Sequence, residues 1–330
     1  MKKLTQILVT TLVFTACGDK SGFKSGVNSQ VSQTNSASTK PDGSSDASGA
    51  GGNKGGLDNG IAGFKGNVTD NFGVQLKVDV VFGVDTSGSM GEETAATQAN
   101  LGKMISILNG GRLDSRIHLI LDRPFALPAG SDSKKIAFVQ QRIGSNDAIS
   151  QLNAFFAGSL STLYKDAAGA AVPAIPLRKD AKLEIVVISD DNGLGAGNLA
   201  GDFDPSKSLK ATFNSIVGLP TSVANAACKV ENFGTEYSTL SMQSNGSILD
   251  LCSTDWSSLI GRLSNDIVKR SVTFPLSKKA DPASIQVGLD GQKLNASDFS
   301  YDPSKNTVTL TKIDAVKDGS KLIINYSSKP

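Results

Sequence analysis

From Lys77 to Val84 the chain reads Lys-Val-Asp-Val-Val-Phe-Gly-Val, a nearly unbroken apolar run rich in β-branched residues. Such a run predicts a strand covered on both faces, as in a parallel sheet flanked by helices. Leu183-Glu-Ile-Val-Val-Ile-Ser189 repeats the pattern about a hundred residues later, and Ile117-His-Leu-Ile-Leu121 is a shorter version. Between the first two runs, Leu101, Met104, Ile105 and Leu108 recur at helical spacing. Glu92 and Glu93 stand where a helix N-terminus favours anions, and Asn109-Gly110-Gly111 reads as a stop.

Further on, Ile216 to Ala227 offers another strand, Tyr237 to Met242 a short helix, and Trp256, Leu259, Ile260, Leu263 and Ile267 the stripe of a helix opened by Ser253-Thr-Asp255. From Val272 the period changes to two. Ser284–Leu289, Lys305–Thr311 and Lys321–Tyr326 alternate apolar and polar residues and are separated by Asp-Gly and Asp-Pro turns, which predicts a small antiparallel module. The expected fold class is α/β, a doubly wound and mostly parallel sheet over residues 74–270, followed by a β-sandwich-like module over 272–330.

The beginning of the chain follows other rules. Lys2 and Lys3 precede the short apolar stretch Ile7–Phe14, and Phe14-Thr-Ala-Cys17 resembles a lipobox, so residues 1–17 are expected to be a lipoprotein signal with lipidation at Cys17. The alternative is an ordinary secreted protein cut nearby. Residues 18–70 are dominated by Ser, Gly, Asn, Lys and Thr, a composition that buries no core and predicts a flexible tether spanning roughly 40 Å. Gly18 stands where inner-membrane lipoproteins commonly carry Asp, which favours the outer membrane, with the domain facing the periplasm or the cell exterior.

A net charge of +2 without a Lys/Arg stripe argues against nucleic acid as a partner. His118 is the only histidine and lies inside an apolar run, so a His-based zinc site or an Asp-His-Ser triad is disfavoured. Apart from Cys17 the cysteines are Cys228 and Cys252, an even pair for an exported protein. A disulfide between them is the expectation, two separate buried thiols the alternative.

The candidate chemistry sits at the end of the first strand, where Val-Asp-Thr-Ser-Gly-Ser-Met supplies Asp85, Ser87 and Ser89 at alternate positions. Three hard oxygen donors so spaced on a loop can converge on one cation of the Mg²⁺, Mn²⁺ or Ca²⁺ type, with Mg²⁺ favoured here. The pattern Asp-x-Ser-x-Ser resembles the metal-ion-dependent adhesion site of von Willebrand factor type A domains. Ile-Ser-Asp190-Asp-Asn-Gly resembles the segment whose Asp completes that site through a bound water. The resemblance further implies a hydroxyl ligand from a loop between the two strands, for which Ser145 is the candidate, although Ser145-Asn-Asp147 also reads as a helix N-cap.

That family implies a binding protein rather than an enzyme, one that captures a protein or surface ligand through an acidic side chain placed on the cation. Two other classes stay open. A metal-assisted hydrolase would have Asp191 as its available base, and a structural envelope lipoprotein would hold a stabilising or vacant site.

Overall fold

The computed structural model describes residues 66–123, 125–160, 175–193, 211–221, 228 and 230–328. Its centre is a six-stranded parallel sheet. The first two elements of the described chain are β1 (Val68–Gly73) and β2 (Lys77–Val84). Next come α1 (Gly91–Gly110), β3 (Asp114–Leu121), β4 (Ile136–Gln140), α2 (Ala148–Phe156) and β5 (Lys182–Ser189). They are followed by β6 (Ala211–Val217), α3 (Thr235–Gln243), β7 (Ile248–Asp250) and α4 (Trp256–Ser271). The order across the sheet is β4-β3-β2-β5-β6-β7, with every neighbouring pair parallel.

Alternating side chains of these strands feed two separate apolar clusters. Val80, Phe82, Val84, Leu119 and Ile188 pack with Leu101 and Met104 of α1 and Leu263 and Ile267 of α4. Val81, Ile120, Ile185, Val187 and Phe213 pack with Ile149 and Leu152 of α2 and Tyr237 and Leu240 of α3. Helices therefore cover both faces, which is why β2 and β5 read as continuous apolar runs instead of alternating ones.

The order of the strands also fixes where a ligand can enter. From β2 the chain steps outward to β3 and β4, then returns to β5 on the other side of β2 and continues outward to β7. The two arms diverge beyond the carboxyl ends of β2 and β5, and such a divergence leaves a crevice.

Two small antiparallel sheets complete the described chain. Their further strands are β8 (Thr273–Pro275), β9 (Gln286–Leu289), β10 (Gln292–Lys293), β11 (Phe299–Asp302), β12 (Thr307–Leu310) and β13 (Lys321–Tyr326). One sheet has the order β1-β13-β9-β10, the other β11-β12-β8. Val287, Val308, Leu322 and Ile324 from both sheets belong to the same cluster as α1 and α4.

Two sequence expectations change here. Residues 68–70, expected to be tether, lie in β1, which pairs in register with β13 from Val68↔Tyr326 to Gly73↔Lys321. Only Val68 and Phe72 of that strand are large and apolar; Asp70 is held instead by the Tyr326 hydroxyl at 2.8 Å and the Ser277 amide at 2.9 Å. The strand expected from Ile216 onward ends at Val217 and begins at Ala211. Fully buried Asn214 and Ser215 interrupt its apolar pattern, and Asn214 is satisfied by donating to Glu184 and accepting from Arg270.

Candidate metal centre

Asp85 is placed by its backbone. Its amide donates to the Ile188 carbonyl of β5 at 2.9 Å, and it forms a parallel bridge with Ile143 on the other side. The side chain is fully buried. Its Oδ1 accepts the Ser87 amide at 2.8 Å and its Oδ2 accepts the Ser189 hydroxyl at 2.7 Å. The loop beyond it turns back at once, with the Met90 amide on the Ser87 carbonyl, and buried Met90 pins the turn. Ser87 and Ser89 are left near the surface with their hydroxyls 3.3 Å apart.

Asp190 and Asp191 follow directly after β5. In an extended strand, adjacent side chains point to opposite faces; here the strand stops at Ser189, and both carboxylates reach the same place. The carboxylate oxygens of Asp85, Asp190 and Asp191 lie within 4.8 Å of one another, and all three residues are buried. Asn232 secures the pair, its amide donating to the Asp190 carbonyl at 3.0 Å and its Nδ2 to Asp191 Oδ1 at 2.6 Å. Ser189 links the strands, since its hydroxyl also accepts the Asp191 amide at 3.1 Å.

Neither carboxylate oxygen of Asp190 has a hydrogen-bond partner among the described residues, although the residue is 1% exposed. Burial raises its pKa above the ordinary aspartate value, with further upward pressure from Asp85 and Asp191; the nearby Ser89 hydroxyl acts in the opposite direction without forming a bond of good geometry. Glu93 in the first turn of α1 is raised as well, by burial first and then by Asp190 and Glu92, and its buried Oε2 is also unpartnered. Among the described residues no ion pair reaches any of the three aspartates. A buried carboxylate without partner or counter-charge is costly, and a proton, a cation or an ordered water relieves it. The acidic triad has the donors to hold a metal ion. All are hard oxygens, which suit Mg²⁺, Mn²⁺ or Ca²⁺.

Of the residues singled out in the sequence, Asp85 and Asp190 come together with Asp191, and Ser87 and Ser89 lie on the loop that follows Asp85, Ser89 beside Asp190. Ser145 lies two residues beyond Ile143, whose carbonyl accepts the Thr86 amide at 3.0 Å. The cap of α2 is Asp147, yet its carboxylate makes no capping bond; it accepts from the Gly144 amide and from Gln151 instead, tightening the loop that carries Ser145. Asp191 is the member that the sequence resemblance left outside the ligand set, naming it only as the available base of a hydrolase. His118 is buried in the middle of β3 with its pKa lowered to about 4, by burial above all, and faces Phe155 rather than the crevice.

The Cys228–Cys252 disulfide is present, with a Cα–Cα distance of 5.5 Å. It borders a cleft of about 570 Å³ shared with Ser89, Glu92, Glu93 and Trp256. On the other flank of the loop a cleft of about 270 Å³ is lined by Thr86, Ser87, Asp122, Arg123 and Phe125. Cys17 and the residues expected to form the signal and the tether up to residue 65 lie outside the described residues. No described helix is long and apolar enough to cross a membrane.

No family model matches the chain, and no curated protein does. Among solved structures, a pilus adhesin, SpaC from Lactobacillus rhamnosus GG in an open conformation, is similar at 15% identity with a TM-score of 0.35. The match covers 78% of this chain and 40% of the adhesin.

Proposed function

We propose that the chain is a lipid-anchored bacterial envelope protein whose parallel sheet is a doubly wound type A domain, and that its crevice binds a divalent cation to capture a ligand. Asp85, Ser87, Ser89 and Asp190 are the ligand set, Ser145 the supplementary hydroxyl, and Asp191 an added buried charge. The observation that carries this reading is the buried Asp190 carboxylate without a partner beside two further buried carboxylates. A bound cation, Mg²⁺ first and Mn²⁺ or Ca²⁺ as alternatives, would supply an open coordination position for an acidic side chain of a protein or surface ligand.

The residues around it suit capture better than turnover. Asp85 and Asp191 are both tied by hydrogen bonds, so neither is a mobile general base. Ser87 and Ser89 add neutral oxygens at the surface, where a partner can approach. Affinity capture from envelope extract with Mg²⁺ tests the function: a ligand retained with Mg²⁺ and released in EDTA is expected, and one retained equally in EDTA would remove the proposed role of the cation. The anchor is tested separately by labelling with a fatty-acid analogue, which Cys17→Ser should abolish.

A further inference from the structure

One face of α4 carries Arg262, Asp266, Lys269 and Arg270, spaced as neighbours on successive turns. All four line a cleft of about 740 Å³, a size that suits a small ligand. Another wall is the sheet of β11 and β12, where Ser300 pairs with Thr309 and Asp302 with Thr307. Strand positions two apart share a face, so these four polar side chains form one patch. Lys305, in the turn between those strands, also lines the cleft. The cleft reaches Ser247 just before β7, at the amino-terminal end of the parallel sheet, whereas the acidic crevice lies beyond the carboxyl ends of β2 and β5.

The charges in this cleft are not spent on one another. Arg262, Lys269 and Lys305 are exposed, and none forms an ion pair among the described residues. Arg270 is held from behind: Glu184 takes two of its N–H groups, Asn214 a third and Ser247 a fourth. One of the five donors of that guanidinium is left, on a group already fixed in place. Asp266 accepts the Ser247 hydroxyl through Oδ2 at 2.7 Å, and Asp302 accepts the Ser304 and Lys305 amides through Oδ1 at 2.9 and 3.2 Å. The second oxygen of each aspartate has no hydrogen-bond partner among the described residues.

Donors for an anion therefore stand beside acceptors for hydroxyls. Among the lining side chains only Ile248, Leu249 and Tyr301 are apolar or aromatic, which offers an apolar peptide side chain little to rest on. The two aspartates also repel a doubly charged phosphate more than a single carboxylate. We propose that this cleft is a second binding site, for a saccharide carrying carboxylate groups, distinct from the cation crevice. The sugar carboxylate pairs with Arg262, Lys269 and Lys305, while its hydroxyls donate to Asp266 Oδ1 and Asp302 Oδ2 and meet the Ser300, Thr307 and Thr309 hydroxyls.

Calorimetric titration of the purified chain in metal-free buffer is the test, with trigalacturonate and sialyllactose as acidic probes and maltotriose as the neutral one. Without divalent cations the crevice plays no part in what is read. Saturable binding of an acidic probe is expected, about tenfold or more tighter than maltotriose, the scale of one hydrogen bond to a charged group. Arg262→Gln and Lys269→Gln, made together at two exposed positions, should weaken that binding by about tenfold or more. No binding of either acidic probe, equal affinity for maltotriose, or undiminished binding by the double variant would overturn the proposal. Equal affinity for hexaglutamate or inorganic phosphate would overturn it too, since the cleft would then answer to charge alone.

Discussion

The Ser189 hydroxyl donates a 2.7 Å hydrogen bond to Oδ2 of Asp85, joining the last residue of β5 to the first residue beyond β2. Both residues are buried, and the same hydroxyl accepts the Asp191 amide. One serine thus sets the spacing of two of the three crevice carboxylates. Ser189→Ala should lower stability by about 2 kcal/mol, the scale of a buried hydrogen bond to a charged group, read by denaturant unfolding of the cation-free protein. An unchanged unfolding midpoint would show that Asp85 is held by other contacts.

The carboxyls of Asp190 and Glu93 give the crevice a pH signature. Each is raised in the folded protein, by burial first, so the folded state keeps its protons to higher pH than the unfolded chain does. Their contribution to the stability of the cation-free protein should therefore fall as pH rises from the ordinary carboxylate range through the raised values, while buried His118, lowered to about 4, contributes a rise over the same range. Protons and cation compete for the same oxygens, so stabilisation by Mg²⁺ should grow across that window. Thermal midpoints from about pH 4 to about pH 8, with and without Mg²⁺, read both trends. The midpoint of Asp190→Asn relative to the parent, without Mg²⁺, should rise with pH through the window; a difference that does not change with pH would contradict the assignment.

The disulfide should act on the site as well as on the fold. Cys228 precedes by four residues Asn232, which holds both Asp190 and Asp191, and Cys252 ties that segment to the loop after β7. Replacing both cysteines by serine should cost about 3 kcal/mol on the chain-entropy scale and weaken Mg²⁺ binding. Lost stability with unchanged Mg²⁺ affinity would separate Asn232 from the bridge.

Gly246 connects α3 to β7 where the chain passes against β6. A Cβ there would stand 1.7 Å from the Phe213 carbonyl oxygen, a backbone atom that cannot swing aside. Gly246→Ala should destabilise by at least about 2 kcal/mol, as forced overpacking does, measured by the same unfolding experiment.

The parallel sheet was legible where strands are covered on both faces, because β2 and β5 then carry unbroken apolar runs. It was illegible where polar groups are buried and satisfied in pairs, as Asn214 with Glu184 and Arg270 shifts the apparent position of β6. β1 escaped because its partner, β13, lies 248 residues or more away along the chain, counted from Gly73↔Lys321, and no local pattern reports such a pairing. At the site, the Asp-x-Ser-x-Ser spacing exposed Asp85, Ser87 and Ser89. Asp191 depended on where β5 ends, which is not written in spacing.

The central claim is that the buried carboxylates of Asp85, Asp190 and Asp191 hold one divalent cation. Calorimetric titration of Mg²⁺ into the purified chain and its Asp190→Asn variant tests it most directly, because the substitution keeps the shape of the side chain and removes the charge that no described residue balances. A saturable one-site isotherm in the parent, absent or greatly weakened in the variant, is the predicted result. Equal Mg²⁺ affinity in the two proteins, or no binding by the parent to Mg²⁺, Mn²⁺ or Ca²⁺, would contradict it.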